Sequence, residues 1–173
     1  MLGRMSASLD ILGRLVAFDT TSRNSNLELI GWVRDFLSGH GIASVLVHDA
    51  TGAKANLLAS VGPADRSGIV LSGHTDVVPV DGQDWTVDPF RPTVRDGRLY
   101  GRGATDMKGF LACALAAVPA MKAARLSRPF HLAFSFDEEI GCKGVPALLA
   151  RRGELLPVQP LGCSVGEPTG MRL

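Results

Sequence analysis

Short apolar segments that lead straight into histidine or acidic residues constrain the fold of this chain most strongly. The segment IVLSG precedes His74, HLAFSF precedes the Asp-Glu-Glu triplet at 137–139, and LGCSVG precedes Glu167. Apolar runs of this length are typical of strands that are covered on both faces of a sheet. We therefore expect buried strands whose ends present polar side chains.

Helical segments alternate with these strands. Amphipathic periodicity predicts helices over residues 6–17, 27–37, 108–124 and 145–152. Strands are predicted over residues 43–48, 55–61, 69–74, 98–103, 130–136 and 162–166, and a long ordered loop over 80–96. This alternation indicates an α/β fold with a largely parallel sheet flanked by helices.

The composition argues against several classes of function. A net charge of +1, without a Lys/Arg run, disfavours binding to nucleic acid or an anionic membrane. The sequence contains no stretch of about 18 apolar residues, and its N-terminus does not resemble a secretory signal. Cys113, Cys142 and Cys163 form no CxxC pair, and Cys113 and Cys163 are predicted to be packed side chains. A reducing cytoplasm is the expected compartment.

The polar residues that follow the strands are expected to converge. Ligands of open α/β sheets bind outside the carboxyl ends of the strands. Besides His74, the residues placed there are Asp76, Asp106, Glu138, Glu139 and Glu167. Crowded carboxylates cannot all stay ionised without compensating positive charge, which two divalent cations would supply. Oxygen and imidazole ligands without thiolate suit Zn, Co or Mn.

The local spacing suggests different roles for neighbouring residues. His74 and Asp76 are two apart in an extended segment, so Asp76 could hold the His74 ring. Glu138 and Glu139 are adjacent and point in different directions, so one can bind metal while the other remains a general base.

Each of these signals also has a simpler explanation. The His74–Asp76 pair could be a local hydrogen-bonded pair, and Asp106 could cap a helix. The Asp-Glu-Glu triplet could form a solvated acidic turn, and Glu167 before Pro168 could lie in a surface turn. The metal hypothesis therefore depends on all four signals following successive strands.

Four spaced segments resemble the dinuclear zinc aminoacylase/carboxypeptidase family of metallopeptidases. They are SGHTDVVPVDGQDWTVDPF, GRLYGRGATDMKGF, SFDEEIGCKG and VGEPT, in the family's order. The resemblance covers essentially the whole chain and implies a zinc-peptidase-like catalytic fold. Within the family, DGQDW, DMKGF and DEEIGCKG are most similar to the members that deacetylate N-acetylornithine.

The resemblance implies a role for each candidate residue. The implied ligands of two Zn ions, or of two Co ions, are His74, Asp106, Glu139 and Glu167. Asp106 would bridge both ions, while His74 and Glu167 would share one of them. Asp76 would orient His74, and Glu138 would act first as general base and then as general acid. A cis peptide between Asp106 and the next residue is also implied.

The implied activity is hydrolysis of N-acetylornithine to ornithine and acetate, a step of arginine biosynthesis. The alternatives are a succinyl-diaminopimelate desuccinylase, or another N-acyl-amino-acid deacylase or dipeptidase of the same family. An alternative of another class is a non-catalytic metal-binding fragment. In every case the partner would be a small molecule or a metal ion.

Family members are longer than 173 residues. After the EPT segment they carry a lid and dimerisation domain, and a later histidine binds the second metal. We therefore expect residues 1–173 to be the N-terminal part of the metallohydrolase catalytic domain, without the lid. The full-length parent is expected to be a homodimer.

Overall fold

Helices and strands alternate along residues 7–170, the part of the chain that this computed structural model describes. The helices are α1 (Ala7–Val16), α2 (Leu27–Gly39), α3 (Lys108–Ala123), α4 (Val145–Ala150) and α5 (Arg152–Leu155). The strands are β1 (Ser44–His48), β2 (Ala55–Val61), β3 (Ile69–His74), β4 (Thr93–Arg95), β5 (Arg98–Tyr100), β6 (Phe130–Ser135) and β7 (Gly162–Val165). None of the helices within residues 7–170 is long and apolar enough to cross a membrane.

Most predicted elements are confirmed within two residues of their predicted ends. The predicted start of the first helix at Ser6 lies outside the described residues. The predicted helix over 145–152 is two short helices, α4 and α5. The segment 80–96, predicted as a loop, contains β4, which pairs with β5 as a separate two-stranded antiparallel sheet.

The main sheet has the strand order β1-β2-β6-β3-β7. Strand β3 pairs in parallel with β6 on one side and β7 on the other. Strands β1 and β2 pair antiparallel, as do β2 and β6. The α/β class with flanking helices is confirmed, and the sheet is mixed. The β1–β2 connection is a short turn, which joins antiparallel neighbours, whereas parallel neighbours need a longer crossover.

Helices α2 and α3 pack against one face of this sheet, and α1 packs against α3. Side chains alternate between the two faces along each strand. Leu57 and Phe134 therefore join the core beneath these helices, while Leu58 and Ala133 face the other side with Leu156. Among the buried residues of the helix-covered core are Leu15, Leu29, Ile30, Val33, Leu111, Leu115, Val118 and Leu132.

The opposite face is covered only in part by α4 and α5. An apolar groove of about 630 Å³ runs between these helices and β7, and reaches the end of β3. Leu161 and Val165, beside and within β7, are exposed.

The packing predicted for two cysteines is wrong. Cys113 and Cys163 are both exposed. Cys113 lies on the solvent side of α3, whose neighbouring residues Leu111 and Ala112 are buried. Cys163 lies in β7, at the edge of the sheet, and all four residues of this strand are exposed. A helix interior rich in alanine does not reveal which of its faces is turned inward.

We predict that Leu115→Ala lowers the free energy of unfolding by about 2–5 kcal/mol, because it leaves a cavity in a closely packed core. Leu115 is fully buried on α3, whereas Leu149 on α4 is exposed. Leu149→Ala is therefore the control, with an expected change within about 0.5 kcal/mol. Urea denaturation of both variants measures the difference. Equal effects would show that α3 does not anchor the core.

Candidate metal centre

Three neighbouring strands end at one edge of the sheet. His74 is the last residue of β3 and lies opposite Ser135, the last residue of β6. Residues 137–139 follow β6 directly, and Glu167 follows β7 on the other side of β3. The parallel register thus brings these polar residues together, as the sequence predicts for the carboxyl ends of parallel strands.

The start of α3 brings in Asp106. Gly73 lets α3 approach β3 closely, because a Cβ at this position would lie 2.7 Å from side-chain atoms of both Met107 and Leu111. The backbone N–H of His74 donates to Met107 Sδ at 3.2 Å. The Asp106–Met107 peptide bond is cis, as the resemblance implies. The N-cap position of α3 is occupied by Met107, so Asp106 is not the N-cap residue of this helix.

The His74 ring is 1% exposed and faces the acidic residues through Nε2. Its Nδ1–H donates to the backbone carbonyl of Asp76 at 2.8 Å. Nε2 lies 3.0 Å from Asp106 Oδ1, 3.6 Å from Glu167 Oε1 and 3.8 Å from Glu138 Oε2. The ring is therefore fixed through one nitrogen and offers the other to the cluster.

His74, Asp106 and Glu167 form a group that could hold a metal ion. One ligand atom from each lies within 4.8 Å of the others. The Asp106 side chain is 49% exposed, so the group opens to solvent and an ion can enter. One imidazole and two carboxylates are a suitable donor set for zinc and similar divalent ions. All three are among the four ligands that the resemblance implies, and their binding of a metal remains a prediction.

Glu139 lies apart from that group, on another side of Asp106. It lines a recess of about 210 Å³ together with Asp106 and Arg102. Burial and the nearby Asp106 carboxylate raise the pKa of Glu139 above its ordinary value. Asp106 therefore belongs to the group with His74 and Glu167 and also borders the recess that Glu139 lines. Its bridging role remains a prediction.

Glu138 lies at the margin of the cluster. Its Oε1 accepts a hydrogen bond from Cys142 Sγ at 3.3 Å, and its Oε2 points towards His74. The carboxylate of Glu138 is partly exposed, so a small molecule can reach it. Glu138 and Glu139 thus point to different parts of the site, as predicted for adjacent residues. Asp137, in contrast, is buried, so the triplet is not a solvated turn.

The buried carboxylate of Asp76 connects Ser22 with the turn at 138–139. Its Oδ2 accepts from Ser22 Oγ at 2.7 Å and from the Glu139 N–H at 3.3 Å. Its Oδ1 accepts from the Glu138 N–H at 3.0 Å and lies 3.5 Å from His74 Nδ1. Burial opposes ionisation, but the bonds from His74, Ser22 and Glu138 outweigh it and lower the pKa of Asp76. The predicted contact of this carboxylate with His74 is present at 3.5 Å, but the ring's hydrogen bond goes to the Asp76 carbonyl. The carboxylate also holds the turn at 138–139.

The acidic surroundings keep His74 charged. Burial acts to lower the pKa of His74, but the Asp76 carboxylate and carbonyl, with Glu167, raise it to about 9. Burial and the charges of Asp106 and Glu138 raise the pKa of Glu167. The cluster therefore stabilises positive charge at its centre, which is the electrostatic condition for binding a cation.

Sequence analysis missed the residues that support the site. Ser22 belongs to a polar loop that precedes Asp76 by 54 positions. Lys108 is fully buried, and its Nζ donates to the carbonyl of Phe18 at 2.8 Å. Burial lowers the pKa of Lys108 to about 7. Lys108 stands two positions after Asp106, which could have drawn attention to it. The periodicity of the sequence does not show that its side chain is buried.

Comparisons with known proteins show the family of this chain and agree with its fold. The family described as peptidase family M20/M25/M40 matches residues 70–172. Acetylornithine deacetylase of Pasteurella multocida (strain Pm70) is 33% identical over 176 residues, covering 98% of this chain and 45% of that protein. Acetylornithine deacetylase of Myxococcus xanthus is 42% identical over 143 residues, covering 80% and 37%. The chain thus spans less than half the length of these curated relatives.

The fold is similar to that of a solved M20 family metallo-carboxypeptidase, Sso-CP2 from Sulfolobus solfataricus. The two superpose with a TM-score of 0.81 at 22% identity, over 94% of this chain and 37% of the other. This similarity confirms the α/β fold predicted from the sequence.

We predict that metal binding releases a proton from His74. With its pKa raised to about 9, the ring carries a proton on Nε2 at neutral pH, and a metal ion must displace that proton. Metal affinity should therefore fall as pH falls below about 9. Calorimetry with Zn²⁺, in buffers of different ionisation enthalpy, should show about one proton released near pH 7 and fewer near pH 10. Equal release at both pH values would contradict the assignment of His74.

Proposed function

The chain belongs to peptidase family M20/M25/M40, and from this membership we propose that it acts as a metal-dependent amide hydrolase. The observation that carries the proposal is the convergence of His74, Asp106 and Glu167 at the ends of the parallel strands. Imidazole and carboxylate oxygens within 4.8 Å of one another can share a divalent cation.

We propose two divalent ions, zinc or cobalt, as the cofactors. The residues that would hold them are His74, Asp106, Glu139 and Glu167. Bound divalent ions supply Lewis acidity, which polarises a carbonyl group and lowers the pKa of water. The carboxylate-rich cluster suits such ions because it already raises the pKa of His74 and so favours positive charge.

Glu138 is the proposed proton carrier of the reaction. Its carboxylate takes a proton from the attacking water, whose oxygen forms the new bond to the acyl carbon. The carbon–nitrogen bond of the amide then breaks, and Glu138 returns the proton to the departing amine. The position of Glu138 supports this role, since Oε2 lies at the edge of the ligand group and the side chain is accessible.

The proposed substrate is N-acetylornithine, which would give acetate and ornithine. Two curated relatives at 33% and 42% identity carry the name acetylornithine deacetylase, and this similarity supports the choice. The reaction would then serve arginine biosynthesis. A cytoplasmic location fits the three unpaired cysteines, and a homodimeric parent enzyme is proposed from the resemblance.

We predict that Glu138→Gln lowers the rate of ornithine release by about 10²–10⁴-fold, because the amide keeps the shape of the side chain but cannot carry a proton. Metal content should stay unchanged, since Glu138 is not a proposed ligand. The matched control is Glu154→Gln, which should retain full activity. Glu154 lies on α5 and forms an exposed ion pair with Arg151.

Three measurements decide between the candidates. Turnover of N-acetylornithine, but not of succinyl-diaminopimelate, supports the proposed substrate, and the reverse result assigns the desuccinylase activity. Metal binding without turnover of either compound favours a non-catalytic metal-binding chain. Full activity in Glu138→Gln removes Glu138 from the role of base.

A further inference from the structure

Lys54 lies immediately before β2. Its side chain is 15% exposed. Its Nζ donates to the backbone carbonyl of Ser22 at 2.5 Å and pairs with the Asp137 carboxylate. These two partners are separated by more than 100 positions in sequence, and each belongs to a segment that contacts Asp76. Lys54 is therefore the cross-link between the two segments that surround this carboxylate.

The first of these segments carries Ser22. Its hydroxyl donates to Asp76 Oδ2 at 2.7 Å, and its backbone N–H donates to the carbonyl of Val77 at 3.1 Å. The carbonyl group of Ser22 points the other way and is bound by Lys54. With the peptide groups on both sides of Ser22 fixed, its hydroxyl has a defined direction towards Asp76.

The second segment begins at Asp137. This residue has a left-handed backbone, with φ of 53°, and directly precedes the two N–H groups that bind Asp76. Its carboxylate is only 12% exposed and is neutralised by Lys54. A buried carboxylate without a partner is strongly destabilising, so the turn depends on this pair.

We propose that Lys54 is a positioning residue for the candidate metal centre. Its amine holds the Ser22 segment and the Asp137 turn together, so that their donors converge on Asp76. Asp76 in turn holds the His74 ring, since its carbonyl accepts from Nδ1–H and its carboxylate lies 3.5 Å from the same nitrogen. Lys54 thus acts on the ligand set without contacting a ligand. The proposal rests on the proposed function only in taking this cluster to be the metal centre.

Lys122 provides a matched control. Its Nζ also donates to a backbone carbonyl, that of His40, at 2.8 Å. That contact lies on the surface near the end of α3 and involves no residue of the site. Lys122→Met therefore removes the same kind of bond, while leaving the surroundings of Asp76 intact.

The test compares Lys54→Met with Lys122→Met by zinc affinity, measured by competition with a chelating dye. Loss of a residue that orients metal ligands typically weakens affinity by about 10–100-fold, and we expect this loss for Lys54→Met alone. Nitrogen NMR shifts of the His74 ring, recorded without metal, should change in the same variant. Wild-type affinity and unchanged His74 shifts in folded Lys54→Met would overturn the proposal.

A second pair of variants separates positioning from charge. Lys54→Met with Asp137→Asn removes the unpaired charge but leaves Ser22 untethered, so affinity should stay below that of the wild type. Full recovery would mean that Lys54 only neutralises Asp137, and would overturn the proposal. If Lys54→Met alone does not fold, the double variant decides, because it removes Lys54 without leaving the Asp137 charge unpaired. Unchanged His74 shifts and wild-type zinc affinity in the double variant would then overturn the proposal.

The two proposals fail in different ways. A wild-type protein that hydrolyses no acyl amino acid contradicts the proposed function, while the zinc and NMR comparisons still test Lys54. A wild-type protein that binds no zinc contradicts the metal centre, and the metal-free His74 shifts then decide whether Lys54 positions the ring. Active wild-type protein with no change in Lys54→Met contradicts only the role of Lys54.

Discussion

The buried carboxylate of Asp76 is the interaction on which the candidate metal centre depends. It receives hydrogen bonds from the Ser22 hydroxyl and from the N–H groups of Glu138 and Glu139, and lies beside the His74 ring. These groups come from three parts of the chain: the loop that carries Ser22, the end of β3, and the turn at 138–139. A buried charge is tolerated when it is fully hydrogen-bonded, and these bonds favour its ionised form. Asp76 thus adds side-chain contacts between parts that backbone hydrogen bonds already bring together, such as those from Ser22 N–H to Val77 and from Thr75 N–H to Ser135.

The mixed sheet explains why the candidate site lies at the carboxyl ends of β6, β3 and β7. The parallel neighbours β6, β3 and β7 run in one direction, so their carboxyl ends lie side by side. The antiparallel strands β1 and β2 extend the sheet on the other side and contribute to the core. Their connection, however, supplies Lys54, which reaches back to the site from the start of β2. The antiparallel half thus supports the half that bears the candidate ligands.

Much of the fold and of the site could be predicted because both depend on local patterns. The apolar runs of β2 and β3 have the predicted bounds, and the polar residues that end β3 and β7 meet as expected. Periodicity cannot show strand direction, so the sequence does not predict the antiparallel pairing of β2 with the distant β6. Nor can it show contacts between distant segments, such as Ser22 with Asp76 or Lys54 with Asp137. These depend on the completed fold.

The most direct test of the central claim is the zinc affinity of Asp76→Asn. The substitution keeps the side chain's shape but replaces one accepting oxygen by an N–H₂ group that cannot accept from the turn at 138–139. We predict that affinity falls by about 10–100-fold while the protein remains folded. Asp81→Asn, in an exposed pair with Arg23, is the control and should bind as the wild type does. Wild-type zinc affinity in folded Asp76→Asn would contradict the account.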